Sequence, residues 1–337
     1  MFRNDYSEVA DKNVIKALLR YADEQFVGYG LDEHSKNAEK LILDTFKIKN
    51  GEVFFVGGGT QANMLVISYL LKNYEAVIAC DSGHINVHET GAVEGSGHKV
   101  LTCLNDDGKL KASDIDEIMN KHVDEHMVKP AMVYISLTTE TGTLYTKKEL
   151  LDIRKKCDKY KLTLFIDGAR LGVALTIKNG DITPELVSKI ADVFYVGGTK
   201  NGALFGEAIV FTNKNMCKDF RYHIKNKGAM FAKGYVIAIM FEELFKNNLY
   251  FKLASNSNTT AEYIRNGLNK LNIELFGNSN SNQIFVYTDK RLYDLLVNKY
   301  GCEYWGEFNN RQVVRIVTSF ATTLKECKGL LEDIKRL

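Results

Sequence analysis

Residues 162–170 read Leu-Thr-Leu-Phe-Ile-Asp-Gly-Ala-Arg, a short apolar run that ends in an acid, a glycine and an arginine. A run of this length followed by a glycine is typical of a buried strand in a parallel sheet. In open α/β sheets, ligands bind at the carboxyl ends of the strands. The pattern therefore predicts that Asp167 lies at a functional edge of the sheet. An aspartate that caps a following helix would give the same pattern, and the residues alone leave that alternative open.

Similar apolar runs and helical segments alternate on both sides of this stretch. The runs are rich in Val, Ile and Phe and have the length of strands; there are seven, at residues 53–56, 76–79, 100–104, 131–137, 162–166, 193–196 and 208–211. The intervening helices have clear start signals, since Thr146 and Glu149 form a capping box and Pro184 follows Thr183. This alternation predicts an α/β fold whose large, mostly parallel seven-stranded sheet is flanked by helices.

The pattern changes after residue 211. Long helical segments, at about residues 236–245 and 256–271, lead into a smaller α/β region with short strands and helices. Its predicted elements lie at residues 273–276, 283–287, 289–299, 313–317 and 324–335. We therefore expect a large domain at residues 13–246 and a smaller one made of residues 1–12 and 247–337.

Composition excludes several functional classes. The chain has 337 residues, and 44 Lys and Arg against 42 Asp and Glu give a net charge of +2, which provides no electrostatic basis for binding nucleic acid or an anionic membrane. The longest uncharged stretch, residues 53–71, contains three consecutive glycines, so we expect no membrane span. Six dispersed cysteines without a C-x-x-C pair indicate reduced thiols and a cytoplasmic location. Two histidine pairs have a spacing of four, His84 with His88 and His122 with His126, but neither has a third ligand nearby in the sequence, so no metal site is expected.

A glycine-rich turn follows the first predicted strand. Residues 57–63 read Gly-Gly-Gly-Thr-Gln-Ala-Asn and precede an apolar helical segment. Glycines let backbone N–H groups approach an anion, and a helix N-terminus adds a partial positive charge. The segment matches neither G-x-G-x-x-G nor the P-loop pattern, so a phosphate site and a plain tight turn both remain open.

A lysine stands at the end of another predicted strand, in Gly197-Gly198-Thr199-Lys200. A desolvated lysine has a lowered pKa and becomes nucleophilic toward carbonyls, although a lysine among glycines is also common in ordinary loops. The combination is more specific than its parts: a phosphate cradle, a strand-end Asp167, and Lys200 33 positions later. Together they suggest pyridoxal 5′-phosphate, with Lys200 as the Schiff-base lysine and Asp167 as the partner of the pyridinium nitrogen.

At this point the chain resembles a known family, the low-specificity L-threonine aldolases and related aromatic amino acid β-eliminating lyases of pyridoxal phosphate fold type I. Five ordered stretches carry the resemblance, at residues 58–63, 84–92, 167–171, 197–202 and 314–318. The resemblance covers nearly the whole chain. It implies that the large domain binds the cofactor.

The resemblance also implies roles for individual residues. Arg170 would lie near the ring oxygen and the substrate carboxylate, His84 would stack on the ring as a candidate base, and Arg315 would bind the α-carboxylate. The phosphate-binding residues would be Gly58, Gly59 and Thr60, with Thr199 beside the lysine and Lys227 reaching the phosphate of a neighbouring subunit. Asn4 stands where many relatives have serine and is expected to contact the substrate. Residues 138–140, Thr-Thr-Glu, replace a run in which many aldolases have a histidine that handles the β-hydroxyl.

The activity implied is retro-aldol cleavage of L-threonine or L-allo-threonine to glycine and an aldehyde. The alternative within the same cofactor class is β-elimination from an aromatic amino acid. A noncatalytic or nucleotide-binding α/β protein is an alternative from another class. The resemblance further implies a homodimer or homotetramer with shared active sites, a small amino-acid substrate, and no nucleic acid or membrane partner.

Overall fold

The computed structural model describes residues 1–337, and its larger sheet has the seven strands that the sequence predicts. They are β1 (Glu52–Val56), β2 (Glu75–Cys80), β3 (Val100–Cys103), β4 (Lys129–Ser136), β5 (Thr163–Asp167), β6 (Val193–Gly197) and β7 (Glu207–Phe211). Their order across the sheet is β1-β7-β6-β5-β4-β2-β3. Strands β3, β2, β4, β5 and β6 pair in parallel, and β7 runs antiparallel to both of its neighbours. The prediction of a mostly parallel α/β sheet is confirmed.

Helices cover this sheet and continue into the C-terminal part. They are α1 (Lys12–Arg20), α2 (Glu33–Thr45), α3 (Gly59–Leu70), α4 (His84–Val87), α5 (Ala92–Gly95), α6 (Ala112–Lys121), α7 (Lys147–Tyr160), α8 (Leu171–Thr176), α9 (Pro184–Ile190), α10 (Phe220–Asn226), α11 (Tyr235–Phe245), α12 (Leu249–Lys270), α13 (Lys290–Asp294) and α14 (Leu324–Lys335). The capping box of Thr146 with Glu149 and the N-cap at Thr183 form as expected. None of the helices combines the length and apolar character that a membrane crossing requires.

The strands are apolar along their whole length because helices bury both faces of the sheet. On β5, Leu164 and Ile166 pack into the core on one face, whereas Phe165 packs into a separate core on the other face. A strand buried on both faces reads as a continuous apolar run instead of an alternating one. This burial places the polar ends of the strands, including Asp167, at the carboxyl edge of the sheet.

The C-terminal part contains a three-stranded antiparallel sheet in the order β8 (Gln283–Thr288), β10 (Arg311–Val317) and β9 (Glu303–Phe308). Helices α12 and α14 share a core with it. The N-terminus joins this core: Phe2 is buried there, and its backbone exchanges hydrogen bonds with Tyr300 and Val317. The boundary between large and small domains remains a prediction.

Three details of this part differ from the prediction. Residues 273–276 form no strand, and only Leu275 makes an isolated bridge, to Val286. Strand β9 was missed because its pattern is mixed: Glu303 and Glu307 alternate irregularly with aromatic residues on an exposed edge. In addition, α12 begins at Leu249, earlier than the helical segment expected from about residue 256.

Candidate active site

A cavity of about 880 Å³ lies between the carboxyl edge of the large sheet and the C-terminal sheet. Nine of the residues singled out from the sequence line it: Gly58, Gly59, Thr60, His84, Asp167, Arg170, Thr199, Lys200 and Arg315. They come from the ends of β1, β5 and β6, from α4 and from β10. The topology therefore collects distant parts of the chain at one site, as expected where strands of an open α/β sheet end.

One wall of the cavity is the glycine-rich turn between β1 and α3. Helix α3 begins at Gly59, so its leading amide groups have no acceptor within the helix. A Cβ added at Gly58 would meet no atom within 4 Å, which shows that the space above the turn is open to the cavity. At Gly59 a Cβ would come within 3.1 Å of the Tyr195 hydroxyl. The turn is an open cradle of N–H groups at a helix N-terminus, suited to a phosphate.

The floor of the cavity holds Asp167, whose carboxylate accepts four hydrogen bonds. Oδ2 accepts from the hydroxyl of Tyr134 at 2.6 Å and from Nδ2 of Asn63 at 3.0 Å. Oδ1 accepts from the hydroxyl of Tyr195 at 2.5 Å and from the amide of Ala169 at 3.0 Å. Burial raises the pKa of Asp167, but the charge of a nearby histidine and these hydrogen bonds outweigh it and leave the pKa lowered. Asp167 is therefore an ionised group inside the cavity.

That histidine is His84, which stands on α4 beside a buried carboxylate. Its Nδ1 lies 2.6 Å from Oε1 of Glu89, and the same oxygen accepts a hydrogen bond of 2.7 Å from Asn63. Burial lowers the pKa of His84, but the hydrogen bond to Glu89 and the charges of Asp167 and Glu89 raise it above its ordinary value. The surroundings thus favour the protonated imidazole.

Lys200 follows β6 and points its amine into the same cavity. Burial and the charge of Arg170 lower the pKa of Lys200, against the opposing effect of nearby carboxylates. Its Nζ lies 5.8 Å from the centre of the Tyr6 ring. A lowered pKa in a shielded site favours the neutral amine, which is the form that attacks carbonyls.

Glu207 lies beneath the lysine loop. Its Oε1 accepts from the hydroxyl of Thr199 at 2.7 Å and its Oε2 from the amide of Gly198 at 2.9 Å. Burial raises the pKa of Glu207 to about 7. Thr199 and Glu207 together hold the loop that carries Lys200.

The two arginines of the cavity already have acidic partners. Arg170 donates from Nε to Oδ2 of Asp5 at 2.7 Å and from Nη2 to Oδ1 at 3.0 Å. Arg315 donates from Nη2 to Glu303 and from Nη1 to Oε1 of Gln283 at 3.1 Å. Asp5 is buried, whereas 37% of the Glu303 side chain is exposed.

Two predicted site residues lie away from the cavity. Asn4 is absent from its lining, and its Oδ1 accepts hydrogen bonds from the amide of Tyr6 and the hydroxyl of Ser7. Lys227 is exposed at the end of α10 and does not line the cavity of its own chain. Their proposed contacts with substrate and with a neighbouring phosphate remain predictions.

The structure adds residues to which the sequence had assigned no role. Asn63 and Glu89 connect Asp167 to His84, and both fall inside stretches that carried the family resemblance. Tyr134 and Tyr195 are buried donors within apolar strands, where tyrosine and phenylalanine give the same pattern. Glu140 also lines the cavity.

The chain is similar to a known family of enzymes over most of its length. The beta-eliminating lyase family profile matches residues 14–291. The low specificity L-threonine aldolase of a Pseudomonas species is 32% identical over 311 residues, which cover 91% of this chain and 89% of that protein. The enzyme of the same name from Pseudomonas aeruginosa is 30% identical, with the same coverage. The structure of Leishmania major threonine aldolase superposes with a TM-score of 0.97 at 41% identity, covering 99% of this chain and 98% of that one.

The residues present fit pyridoxal 5′-phosphate, the cofactor that this family indicates. The open cradle at Gly58 suits its phosphate, and the ionised Asp167 suits a protonated ring nitrogen. Lys200, with its lowered pKa, suits a covalent bond to its aldehyde carbon. All three lie in one cavity large enough for a cofactor and a small amino acid.

Proposed function

Because the chain belongs to the beta-eliminating lyase family, we propose that it is a pyridoxal phosphate-dependent lyase that cleaves L-threonine or L-allo-threonine to glycine and acetaldehyde. The observation that carries the proposal is the convergence of Lys200, Asp167 and the glycine cradle in one cavity, in a chain so similar to enzymes named as threonine aldolases. Substrates of this class have an α-amine, an α-carboxylate and a β-hydroxyl, and the cavity offers a partner for each.

Bound pyridoxal phosphate supplies an electron sink that accepts the electron pair left at Cα when the Cα–Cβ bond breaks. The contribution of Asp167 is to keep a proton on the ring nitrogen, because an ionised carboxylate in a shielded site favours an opposite charge beside it. Lys200 holds the cofactor before substrate arrives. Once it is released by the substrate amine, its lowered pKa favours the neutral form, which can move a proton at Cα.

We assign the substrate carboxylate to Arg315. Its ion-pair partner Glu303 is partly exposed, whereas the partner of Arg170, Asp5, is buried. Replacing Glu303 by a substrate carboxylate therefore costs less free energy than replacing Asp5. The planar guanidinium suits bidentate binding of a carboxylate, and Trp305 lies 5.0 Å below it as a flat support. In this proposal Arg170 keeps its bond to Asp5 and offers its remaining Nη1 to the ligand.

His84 stacks on the cofactor ring in this proposal and carries a proton. Since Glu89 and Asp167 raise its pKa, its positive charge strengthens the ionised state of Asp167. The family resemblance suggests that His84 is a base, but its raised pKa favours the protonated imidazole, which cannot accept another proton. The β-elimination alternative receives no specific support from the site.

The finer features remain part of the proposal. We expect a homodimer or homotetramer in which Lys227 reaches the phosphate of a neighbouring subunit, a cytoplasmic enzyme, and a cofactor-binding large domain at residues 13–246. Asn4 would approach the substrate only after giving up its hydrogen bonds to Tyr6 and Ser7.

The test is an assay of the purified, cofactor-loaded protein. L-threonine and L-allo-threonine should both give glycine, and acetaldehyde should be reported by coupling to alcohol dehydrogenase. The allo isomer is expected to be at least as good a substrate. If neither isomer reacts while tyrosine or tryptophan releases pyruvate and ammonia, the enzyme is a β-eliminating lyase and the aldolase proposal is wrong.

A further inference from the structure

The cavity contains one inner carboxyl group that the roles above leave unused, that of Glu140. Its Oε1 accepts a hydrogen bond of 2.7 Å from the hydroxyl of Ser136 and one of 3.1 Å from the backbone amide of His84. No other residue donates a hydrogen bond to its Oε2, and the residue lines the cavity. One carboxylate oxygen therefore fixes the side chain beside His84 while the other is free for a ligand.

The other acidic groups of the cavity are poor acceptors of a proton from a ligand. Both oxygens of Asp167 and both oxygens of Glu207 already accept hydrogen bonds from the chain. Glu303 is ion-paired with Arg315 at the more exposed side of the cavity. Glu89 is bound to His84 and does not line the cavity. This comparison leaves Glu140 as the available carboxylate.

The surroundings of Glu140 also suit proton transfer. Burial and the negative charge of Asp167 raise the pKa of Glu140, and they outweigh the hydrogen bonds from Ser136 and from the backbone amide of Glu140 itself and the charge of His84. A base works best when its pKa lies near the pH at which the enzyme operates, so the raised value favours Glu140 over an ordinary surface carboxylate. The nearby imidazole of His84 is disfavoured because its own raised pKa favours the protonated form.

We propose that Glu140 is the catalytic base that takes the proton from the β-hydroxyl of the substrate, an inference that rests on the proposed retro-aldol activity. The O–H bond breaks with its proton on Oε2 of Glu140, and the oxygen's electron pair forms the second bond of the aldehyde C=O. The Cα–Cβ bond breaks, and its electron pair stays with the Cα fragment and its electron sink. Lys200 then delivers to Cα a proton taken from solvent, which gives glycine, and Glu140 returns its proton to solvent before the next turnover, so no net proton is gained or lost.

The decisive variant is Glu140→Gln, which keeps an oxygen to accept from Ser136 and His84 but cannot take a proton. Two reactions of the loaded enzyme are compared: cleavage of L-allo-threonine, and exchange of the α-hydrogen of glycine with deuterated water, which involves no β-hydroxyl. We expect kcat/KM for cleavage to fall by roughly 10²- to 10⁴-fold, the usual contribution of a general base. Glycine exchange should stay within a few-fold of the parent. Glu125→Gln, an exposed glutamate without contacts, is the matched control.

A second readout needs no turnover. The infrared spectrum of the cofactor-free Glu140→Gln variant is subtracted from that of the cofactor-free parent. The band of the protonated Glu140 carboxyl should remain in this difference spectrum, whereas the band of Glu207 should cancel because both proteins contain it. That band should titrate above the pH range of an ordinary glutamate.

Cleavage by Glu140→Gln at the parental rate would overturn the proposal, as would an equal loss of cleavage and glycine exchange. A Glu140 band that titrates at the ordinary glutamate pH would do the same. Failure of the parent enzyme itself to cleave either threonine isomer would instead contradict the proposed function.

Discussion

Asp5 and Arg170 form a bidentate ion pair across 165 positions of sequence, with Nε 2.7 Å from Oδ2 and Nη2 3.0 Å from Oδ1. Asn282 donates a third hydrogen bond to Asp5 at 2.9 Å. The pair thus ties together the N-terminal segment, the carboxyl edge of the large sheet and the C-terminal part. Arg170 itself lines the cavity together with Lys200. The N-terminal segment is therefore a structural part of the site.

Asp5→Asn should destabilise the protein strongly, because it leaves the Arg170 guanidinium charged and largely buried without its anion. Removing one partner of a buried pair typically costs about 3 to 5 kcal/mol. Urea unfolding of the cofactor-free protein measures this, with Asp23→Asn, an exposed aspartate without contacts, as the control. Burial raises the pKa of Asp5, but the charges of Arg170 and Lys200 and its hydrogen bonds lower it overall. The stabilisation is therefore present above the unfolded pKa and is lost as pH falls through the folded one. Equal stability of both variants would contradict this account.

Lys200 should be the residue that carries the cofactor covalently. Borohydride reduction of the loaded enzyme should fix the cofactor to a peptide that contains Lys200, identified by mass spectrometry. Lys200→Ala should give no labelled peptide and no measurable turnover, since no other lysine lines the cavity. The exposed Lys328→Ala should be labelled like the parent. A label at any other lysine would rule out the assignment.

Asp167→Ala should bind the cofactor more weakly and lose most of its turnover. The substitution removes the anion that favours a protonated ring nitrogen, and it leaves the buried hydroxyls of Tyr134 and Tyr195 without their acceptor. Equilibrium dialysis gives the affinity for cofactor, and steady-state assays at saturating cofactor give kcat. Asp106→Ala, on an exposed loop, provides the comparison. Near-parental kcat with a full complement of cofactor would show that the role is wrong.

Glu207 should make stability depend on pH. Burial raises its pKa to about 7, from 4.5 for the free side chain. A carboxyl whose pKa is raised on folding contributes stability that is fully present below the unfolded pKa and is lost as pH rises through the folded pKa. A shift of this size corresponds to a loss of about 2.5 kcal/mol of stability as pH rises from 5 to 8. Urea unfolding of the cofactor-free protein measures the free energy of unfolding at each pH. In Glu207→Gln this free energy should decline less over the interval, by the same amount. Parallel pH profiles of parent and variant would disprove the assignment.

The sequence predicts the parts of the site that lie at the ends of parallel strands. Asp167 follows β5 and Lys200 follows β6, and each apolar run ends in a recognisable polar or glycine-rich motif. Whether a strand runs parallel or antiparallel to its neighbours leaves no such motif in the sequence. Glu207 reaches the site because β7 runs antiparallel, which brings its first residue beside the last residues of β1 and β6.

Contacts between distant segments also escape a reading of local patterns. The bond from Asp5 to Arg170 depends on where the N-terminal segment crosses the molecule, and no periodicity encodes that path. The same holds for Arg315, whose present partner Glu303 lies on the strand that was missed. Glu140 was visible in the sequence only as a departure from the family pattern. The neighbours that determine its chemistry became visible only in the folded structure.

Lys227 gives a test of assembly, because it is exposed and does not line the cavity of its own chain. If it binds the phosphate in a neighbouring subunit, Lys227→Ala should weaken cofactor binding. Light scattering should show a dimer or tetramer at assay concentration. Mixing is the sharper measurement: Lys200→Ala subunits are inactive but retain Lys227, whereas Lys227→Ala subunits retain Lys200. After exchange of subunits at limiting cofactor, mixed oligomers should contain complete sites, so activity should exceed the sum of the separate variants. An active monomer, or activity that is merely additive, would show that each chain builds its phosphate site alone.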